Sequence, residues 1–594
     1  MSRSVLGAFE LLRIADRIDR GKLVLALVLM LLQALALPLS APALAALTDS
    51  AVEGDARGAA LAAVVVAALV IASLTAGHFA HIFYFELGDL AVMRLERELI
   101  ELANGSPRLE HHERPDYADK LQVLRTELHR SGWGSMQALL SSLGLAVAIV
   151  LTGVLLAGLN PWLLALPLAA LPPLVLGRRA EGVVGRARER AALDNRRARH
   201  LFLLATDAGP AKELRVCGLT DEVRARHASA WEHASATLWG GELRAGVLRV
   251  AGQLVFAVAY VAATLLVVRD AVAGRRTVGD VILVITLAAQ VNAQVTSAVT
   301  ILQQLQRTAR TMSDLAWVRA VVRPARAAVT APAPERVRDG ITFEGVAFAY
   351  PGTERPVLAD VDLTLPAGST VAIVGENGAG KTTLVKLLCR FYDATEGTVR
   401  VDGVDLATVD PAAWRERVAA GFQDFSRFEL LARENVGVGD LPDIGSDEAV
   451  LAALRRAHAE GVLDRLDDGL DTQLGTSHTD GAQLSGGQWQ KLALGRAMMR
   501  EEPLLLVLDE PTSALDAQAE HELFERYAVH ARRVGERTGA ITLLVSHRFS
   551  TVRMADLILV VAGGRVTEAG SHAELVARGG LYAELFELQA AAYR

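Results

Sequence analysis

GSTVAIVGENGAGKTTLVKLLCRFY, residues 368–392, decides how the C-terminal half of this chain is read. A short apolar run enters a loop holding Gly375, Gly378 and Gly380, and a helical pattern follows at once. This is GxxxxGK[ST] in a strand–loop–helix setting. Glycines let consecutive backbone N–H groups curl around a phosphate, and the start of the helix adds a favourable field. Lys381 is then placed to reach the β- and γ-phosphates of a nucleotide and Thr382 to hold Mg²⁺, with Asn377 and Thr383 among the loop's contacts.

Two further stretches belong with this loop. LLLVLDEP (504–511) is an apolar run ending in two acids, as expected of a buried parallel strand whose carboxyl end faces the nucleotide. Asp509 would act on the magnesium side and Glu510 would polarise the attacking water. ITLLVSHR (541–548) is a third apolar strand, ending at His547, which is expected to hydrogen-bond the γ-phosphate or the water. These pieces account for nucleotide, metal and water but leave one side of the γ-phosphate open. LSGGQWQKLALGRA (484–497) sets exposed glycines at the start of a helix, where their amides suit an anion.

The first half of the chain has a different character. Apolar segments run at about 22–47, 58–80, 134–158, 162–177, 246–268 and 279–301. Most are long enough to cross about 30 Å of hydrocarbon as helices. The fourth is shorter and carries Pro167, Pro172 and Pro173. A signal peptide is set aside for the first segment, which is too long and has five successors. Arginines crowd the link from Arg178 to Arg199, placing the long links in the cytoplasm. Against that assignment stand Arg269, Arg275 and Arg276 in an outer link, offset only partly by Asp270 and Asp280. Residues 88–101 and 181–204 are expected to continue membrane helices past the bilayer, with a short element at 207–222. Gln290 and Gln294 share one face of the sixth segment at i,i+4 spacing. They either line a translocation cavity, together with His78 and His81, or hydrogen-bond neighbouring helices.

The motifs and the six preceding segments together resemble an ATP-binding-cassette exporter half-transporter, over nearly the whole chain. The resemblance implies an α-helical transmembrane domain of six helices (1–320), a linker (321–338) and an α/β P-loop NTPase cassette (339–594). It further implies ATP and Mg²⁺ as cofactors, a bilayer setting, and a second half-transporter as partner. In such cassettes LSGGQ, the signature motif, faces the phosphate loop of the other subunit. Ser485, Gly486, Gly487 and Gln488 would then contact the partner's nucleotide. Tyr350 sits where an aromatic residue stacks on adenine. Gln423 matches the loop that senses nucleotide and touches the membrane domain, and would share the metal; Asp516 matches the loop that speaks across the dimer, Glu510 the catalytic glutamate and His547 the switch histidine, with Lys381 completing the catalytic set. AKELRVCG (211–218) resembles a coupling region and TVGD (277–280) the start of the sixth helix. Glu510 and His547 are both intact, which makes a homodimer the economical expectation.

Two stretches depart from the family pattern. GTSHTDGAQ (475–483) replaces the usual element ahead of the signature, with Asp480 near the usual acid. DFSRFELLAREN (424–435) and the SGGQWQ variant resemble bacterial exporters of antimicrobial or lanthionine peptides. The expected function is export of a peptide or amphipathic small molecule by alternating access across a bacterial cell membrane, with the cassette in the cytoplasm. Lipid or multidrug export, siderophore import by an exporter fold, and an ATP-gated channel or regulatory module are the rivals. A fused peptidase is not expected, since the roughly 21 residues ahead of the first segment hold no cysteine. The net charge of −7 gives no hint of a nucleic-acid partner. Cys217 and Cys389 form no disulfide framework or metal cluster, and the 14 histidines show no metal-site spacing.

Overall fold

The computed structural model describes residues 3–322, 330–353, 355–511 and 517–592; residues 323–329 of the connector predicted at 321–338 lie outside that set. The chain divides into two compact units. One comprises Met1–Ile100 and Lys120–Val318, and the other Glu101–Asp119 and Arg319–Arg594.

The first unit is built from α1 (Arg3–Glu53), α2 (Ala56–Gly105), α3 (Pro115–Leu159), α4 (Leu171–Thr206), α5 (Thr220–Val272) and α6 (Val278–Val322), the end of α2, the start of α3 and the end of α6 falling in the second unit. The six apolar segments lie in six stretches long and apolar enough to cross a membrane. At 50 residues, α2 is about 75 Å long, far more than a bilayer's hydrocarbon requires. The predicted extensions at 88–101 and 181–204 are therefore continuous with membrane helices, and the break after them holds the short helix Ala211–Val216.

Local chemistry explains where these helices bend. Asp19 leaves the helical region inside α1 and its carboxylate accepts from the Lys22 N–H at 2.9 Å, capping the part that follows. The proline-bearing fourth segment opens as a 3₁₀ turn, Pro161–Leu164, and a short helix, Ala165–Ala169, before α4 begins. Pro172 and Pro173 cannot donate to Leu168 and Ala169, so the helix restarts there. Where α5 meets this point, a Cβ at Gly252 would lie 2.8 Å from Pro173 Cα, so only glycine permits the approach.

Two of the three arginines of the link before α6, Arg275 and Arg276, are answered by acids. Arg275 pairs with Asp270 at 2.5 Å and Arg276 with Asp280 at 3.7 Å. TVGD is a reciprocal cap. Thr277 Oγ1 accepts from the Asp280 N–H at 3.1 Å, and Asp280 accepts from the Thr277 N–H at 3.2 Å. Asp49 of α1 ties the same turn down through Thr277 Oγ1 (2.8 Å) and the Gly279 N–H (2.7 Å). Deeper in the unit, Gln290 donates to the Leu37 carbonyl beside Pro38, and Gln294 to Thr152 Oγ1, both at 2.9 Å. Both side chains also border a cavity of about 260 Å³, so they bond neighbouring helices and line a space at once. His81 bonds the Tyr84 hydroxyl at 2.6 Å.

Among the described residues, the second unit holds two sheets. An antiparallel one has the order β2 (Leu358–Pro366), β1 (Gly340–Phe348), β4 (Glu396–Val401), β5 (Val404–Asp405). The other has the order β10 (Arg565–Gly570), β9 (Leu557–Ala562), β3 (Thr370–Val374), β8 (Ile541–Val545), β7 (Leu505–Asp509), β6 (Val418–Gly421). Its five strands from β9 to β6 run parallel, and β7 and β8 are buried along their whole length. Continuous apolar runs are what such doubly covered strands require. The hairpin 101–119 belongs to this unit. The Leu109 N–H donates to the Phe391 carbonyl at 3.2 Å, Arg108 pairs with Asp393, and Arg415 donates to the Pro107 carbonyl.

Cys389 closes helix α7 (Lys381–Leu388) inside this core. Burial pushes its thiol up to about 12, whereas Cys217 is exposed. In a Cys217→Ser variant, maleimide at neutral pH is expected to label Cys389 only after denaturation. Rapid labelling of the native protein would contradict the buried placement.

Candidate functional site

Sheet register assembles the site. Ile373 of β3 pairs with Val545 of β8, and Val545 pairs with Asp509 of β7. Adjacent strands lie about 4.8 Å apart, so the phosphate loop, the Asp509–Glu510 pair and the Ser546–His547 turn leave one sheet edge side by side. A pocket of about 360 Å³ opens there. It is lined by Tyr350, Asn377, Gly378, Gly380, Lys381, Thr382, Thr383, Gln423, Asp509 and Glu510, all anticipated from sequence, and by Val357 and Val545, which were not. The two valines carried no chemical signal; they are apolar walls that only the fold brings in.

The loop has the shape of an anion cradle. Gly375, Gly378 and Gly380 have φ of 149°, 79° and 108°. A Cβ at Gly375 would sit 2.1 Å from the Val561 carbonyl oxygen, while Gly378 faces open space. Lys381 is buried and donates to the Gly375 and Glu376 carbonyls at 2.8 and 2.9 Å. Burial pulls its pKa below the usual lysine value, against the opposing pull of Glu510 and Asp509. Thr382 Oγ1 lies 3.4 Å from Asp509 Oδ2. Burial, reinforced by the neighbouring Glu510, pushes the Asp509 carboxyl up to about 6. A buried acid beside a hydroxyl and a second carboxylate is a donor set that a hard divalent cation would relieve, so these residues fit Mg²⁺.

Glu510 stands at the junction. Its φ is 48°, a left-handed conformation costing about 1–3 kcal/mol in a residue other than glycine. The backbone is held there from both sides. Its N–H donates to the Val545 carbonyl at 2.9 Å, and its carbonyl accepts from Gln490 Nε2 at 3.4 Å. The side chain is oriented as tightly. Oε2 accepts from Gln423 Nε2 at 2.8 Å, and Oε1 lies 3.3 Å from His547 Nδ1. A carboxylate fixed in this way can take a proton from a water in the pocket. Gln490, buried in the helix after the signature, was not anticipated as a support for Glu510; only the strained turn reveals the need for one.

Ser485, Gly486, Gly487 and Gln488 are not among the residues lining this pocket. They open helix α8 (Gly486–Ala497) as a capping box. Ser485 Oγ accepts from the Gln488 N–H at 3.3 Å, and Gln488 Oε1 accepts from the Ser485 N–H at 2.8 Å. Gln488 therefore has a structural duty that the motif reading missed. Ser485 and Gly486 are exposed, and a Cβ at Gly486 would meet nothing within 4 Å. Asp516 lies outside the described residues.

The departures from the family pattern meet each other. Glu429, within the 424–435 stretch, accepts from the Ser477 N–H at 3.1 Å and fills the space beside Gly475. The Ser477 contact holds its carboxyl below the usual glutamate range. Glu429 thus organises the segment ahead of the signature, where the sequence had drawn attention to Asp480.

Residues 358–513 match the family model described as ABC transporter. Among curated proteins, the human mitochondrial potassium channel ATP-binding subunit (Homo sapiens) is 45% identical over 264 residues, covering 43% of this chain and 34% of that protein. The ATP-dependent lipid A-core flippase of Sodalis glossinidius (strain morsitans) is 40% identical over 255 residues, covering 43% of this chain and 42% of that protein. These matches therefore span well under two thirds of the relatives' length. A solved structure, a bacterial Atm1-family ABC exporter with ATP bound, superposes with a TM-score of 0.76 at 27% identity, covering 97% of this chain and 99% of that one. Six membrane-length helices followed by a P-loop nucleotide-binding fold give this chain the architecture of an ABC exporter half-transporter.

Proposed function

We propose that this chain is an ATP hydrolase coupled to transport, one half of a dimeric exporter that moves cargo out of the cytoplasm by alternating access. The observation that carries the reading is the convergence of Lys381, Thr382, Gln423, Asp509 and Glu510 on one pocket, in a chain that also has six membrane-length helices. Thr382, Asp509 and Gln423 would hold Mg²⁺, which when bound offsets the charge of the β- and γ-phosphates. Lys381 exchanges its carbonyl partners for phosphate oxygens. Glu510, steered by Gln423 and His547, accepts the proton of the attacking water. Tyr350 stacks on the base. Ser485 and the Gly486 and Gly487 amides close the γ-phosphate of the partner subunit, and Asp516 speaks across the same dimer. A homodimer is the simplest assembly, because Glu510 and His547 are both present.

The domain division follows the same reading: a membrane domain over 1–320, a linker over 321–338 and a cassette over 339–594, the cassette in the cytoplasm of a bacterial cell. ATP binding and hydrolysis at the cassettes would bias a two-state transporter whose two states differ in affinity for the nucleotide. For cargo, the DF-x-R-aromatic pattern at 424–428 and SGGQWQ favour a peptide or amphipathic small molecule. Similarity to a lipid A-core flippase supports lipid as the alternative. A second reading, an ATP-gated or regulatory channel subunit, draws on the 45% match to a protein with that name. Proteoliposomes separate pump from pore. A pump accumulates cargo against a gradient only with ATP and not in Glu510→Gln; flux that merely equilibrates, or that persists without ATP, would overturn the export reading.

A further inference from the structure

The helix after the phosphate loop carries a lysine that no motif accounts for. Lys386, five positions after Lys381, extends its ammonium over the Tyr350 ring, 4.9 Å from the centroid, and lies 5.7 Å from that of Tyr392. The same ammonium donates to Glu113 Oε1 at 2.9 Å. Glu113 comes from the 101–119 hairpin, which the second unit holds through Leu109, Arg108 and Pro107. Both members of the pair are partly shielded, with 26% and 36% of their side chains exposed. Burial disfavours the charge on Lys386, but Glu113 and Tyr350 together more than offset it, and the ammonium titrates above the usual lysine value.

Tyr350 is otherwise held by its edge and its tip. Its ring meets Phe348 and Tyr392 edge-on at 5.0 and 5.6 Å. Its hydroxyl lies 3.1 Å from Thr383 Oγ1 in the phosphate loop. Lys386 supplies the one cation over the ring among these contacts, and Glu113 restrains where that cation sits. A ring pinned in this way presents a stacking surface with less freedom to lose on binding, and a cation near the ring alters its electrostatics.

From this geometry we infer that Lys386 and Glu113 are positioning residues for the Tyr350 base platform, so that the hairpin linking α2 and α3 sets the affinity of the chain for its nucleotide. The inference rests on the reading of Tyr350 as the base-stacking residue. It concerns binding and not chemistry, because neither side chain lines the pocket that holds Asp509 and Glu510.

The test is steady-state ATPase kinetics on the full chain in lipid nanodiscs, with thermal unfolding to check each variant. Lys386→Met keeps the aliphatic stem and removes the cation. It is expected to raise KM for ATP about 3–10-fold with kcat within about twofold, while Lys386→Arg stays near the parent. Glu113→Gln is expected to shift KM in the same direction. The double variant should be no worse than Lys386→Met alone, because the two act as one unit. A Lys386→Met enzyme with unchanged KM overturns the inference, as does a drop in kcat alone, or strict additivity of the two substitutions. Should Lys386→Met fail to fold, an unchanged KM in Glu113→Gln has the same force. Tyr350→Ala separates the underlying reading. If it leaves KM unchanged, the base-platform assignment fails; if it raises KM while the Lys386 and Glu113 variants do not, only the present inference fails.

Discussion

Glu510→Gln is expected to bind ATP with little change in affinity and to hydrolyse it about 10²–10⁴-fold more slowly, the range attributable to one general base. The substitution is close to isosteric. A glutamine oxygen can still accept from Gln423 Nε2, and the left-handed backbone at φ 48° remains pinned to Val545 and Gln490. What is lost is the charge that, in the proposed mechanism, accepts a proton. Lys381, Thr382 and the loop glycines, proposed to hold the phosphates and metal, are untouched. Fluorescent-nucleotide binding together with single-turnover hydrolysis separates the two quantities. Full turnover in the purified variant would remove Glu510 from the role of base and shift attention to His547, 3.3 Å away.

The second large effect tests which chain closes the γ-phosphate. Gly486→Asp suits this purpose because a Cβ there meets nothing within 4 Å, and an acid in the first turn of α8 favours the helix. The variant should fold, yet place a carboxylate where, in the proposed dimer, a partner's γ-phosphate would approach. Dimers of Gly486→Asp alone, like dimers of Glu510→Gln alone, are expected to lose about 10²-fold or more of ATPase activity. A mixed dimer differs. One composite site carries both lesions, and the other carries neither. Isolated mixed dimers should therefore recover roughly half of the parent activity, one of two symmetric sites being intact. If each chain completed its own site, both sites of a mixed dimer would be damaged and nothing would return. Purification on two different affinity tags, followed by ATPase measurement, decides between these outcomes.

The site was legible to different depths at different residues. GENGAGKTT was legible as a glycine loop opening a helix, because glycine spacing and the following helix are local. LVLDE and LVSHR were also legible, since a run of apolar residues ending in a charge has few uses other than a buried strand meeting a polar edge. Gln488 was read only as a nucleotide contact, although its side chain caps its own helix through Ser485. Motif reasoning assigns one role per residue, whereas a helix start needs its backbone N–H groups answered whatever else happens there. Asp270 and Asp280 were visible in the sequence as partial offsets of the nearby arginines, but only the folded loop shows that they pair with Arg275 and Arg276.

Composition and short-range spacing, acting within windows of about 20 residues, suffice for the six membrane helices, the phosphate loop and the identity of the acids beside it. Their physical basis is local: hydrocarbon thickness, the helical and strand periods, and the backbone freedom of glycine. Only the folded chain aligns Ile373, Val545 and Asp509, because strand register depends on partners far apart in sequence. Only it turns Glu510 left-handed and supports it from Gln490 and Val545. The pairing of Glu113 with Lys386 crosses 273 positions. No local propensity encodes such a contact; it exists because the hairpin and the phosphate-loop helix pack in the same unit.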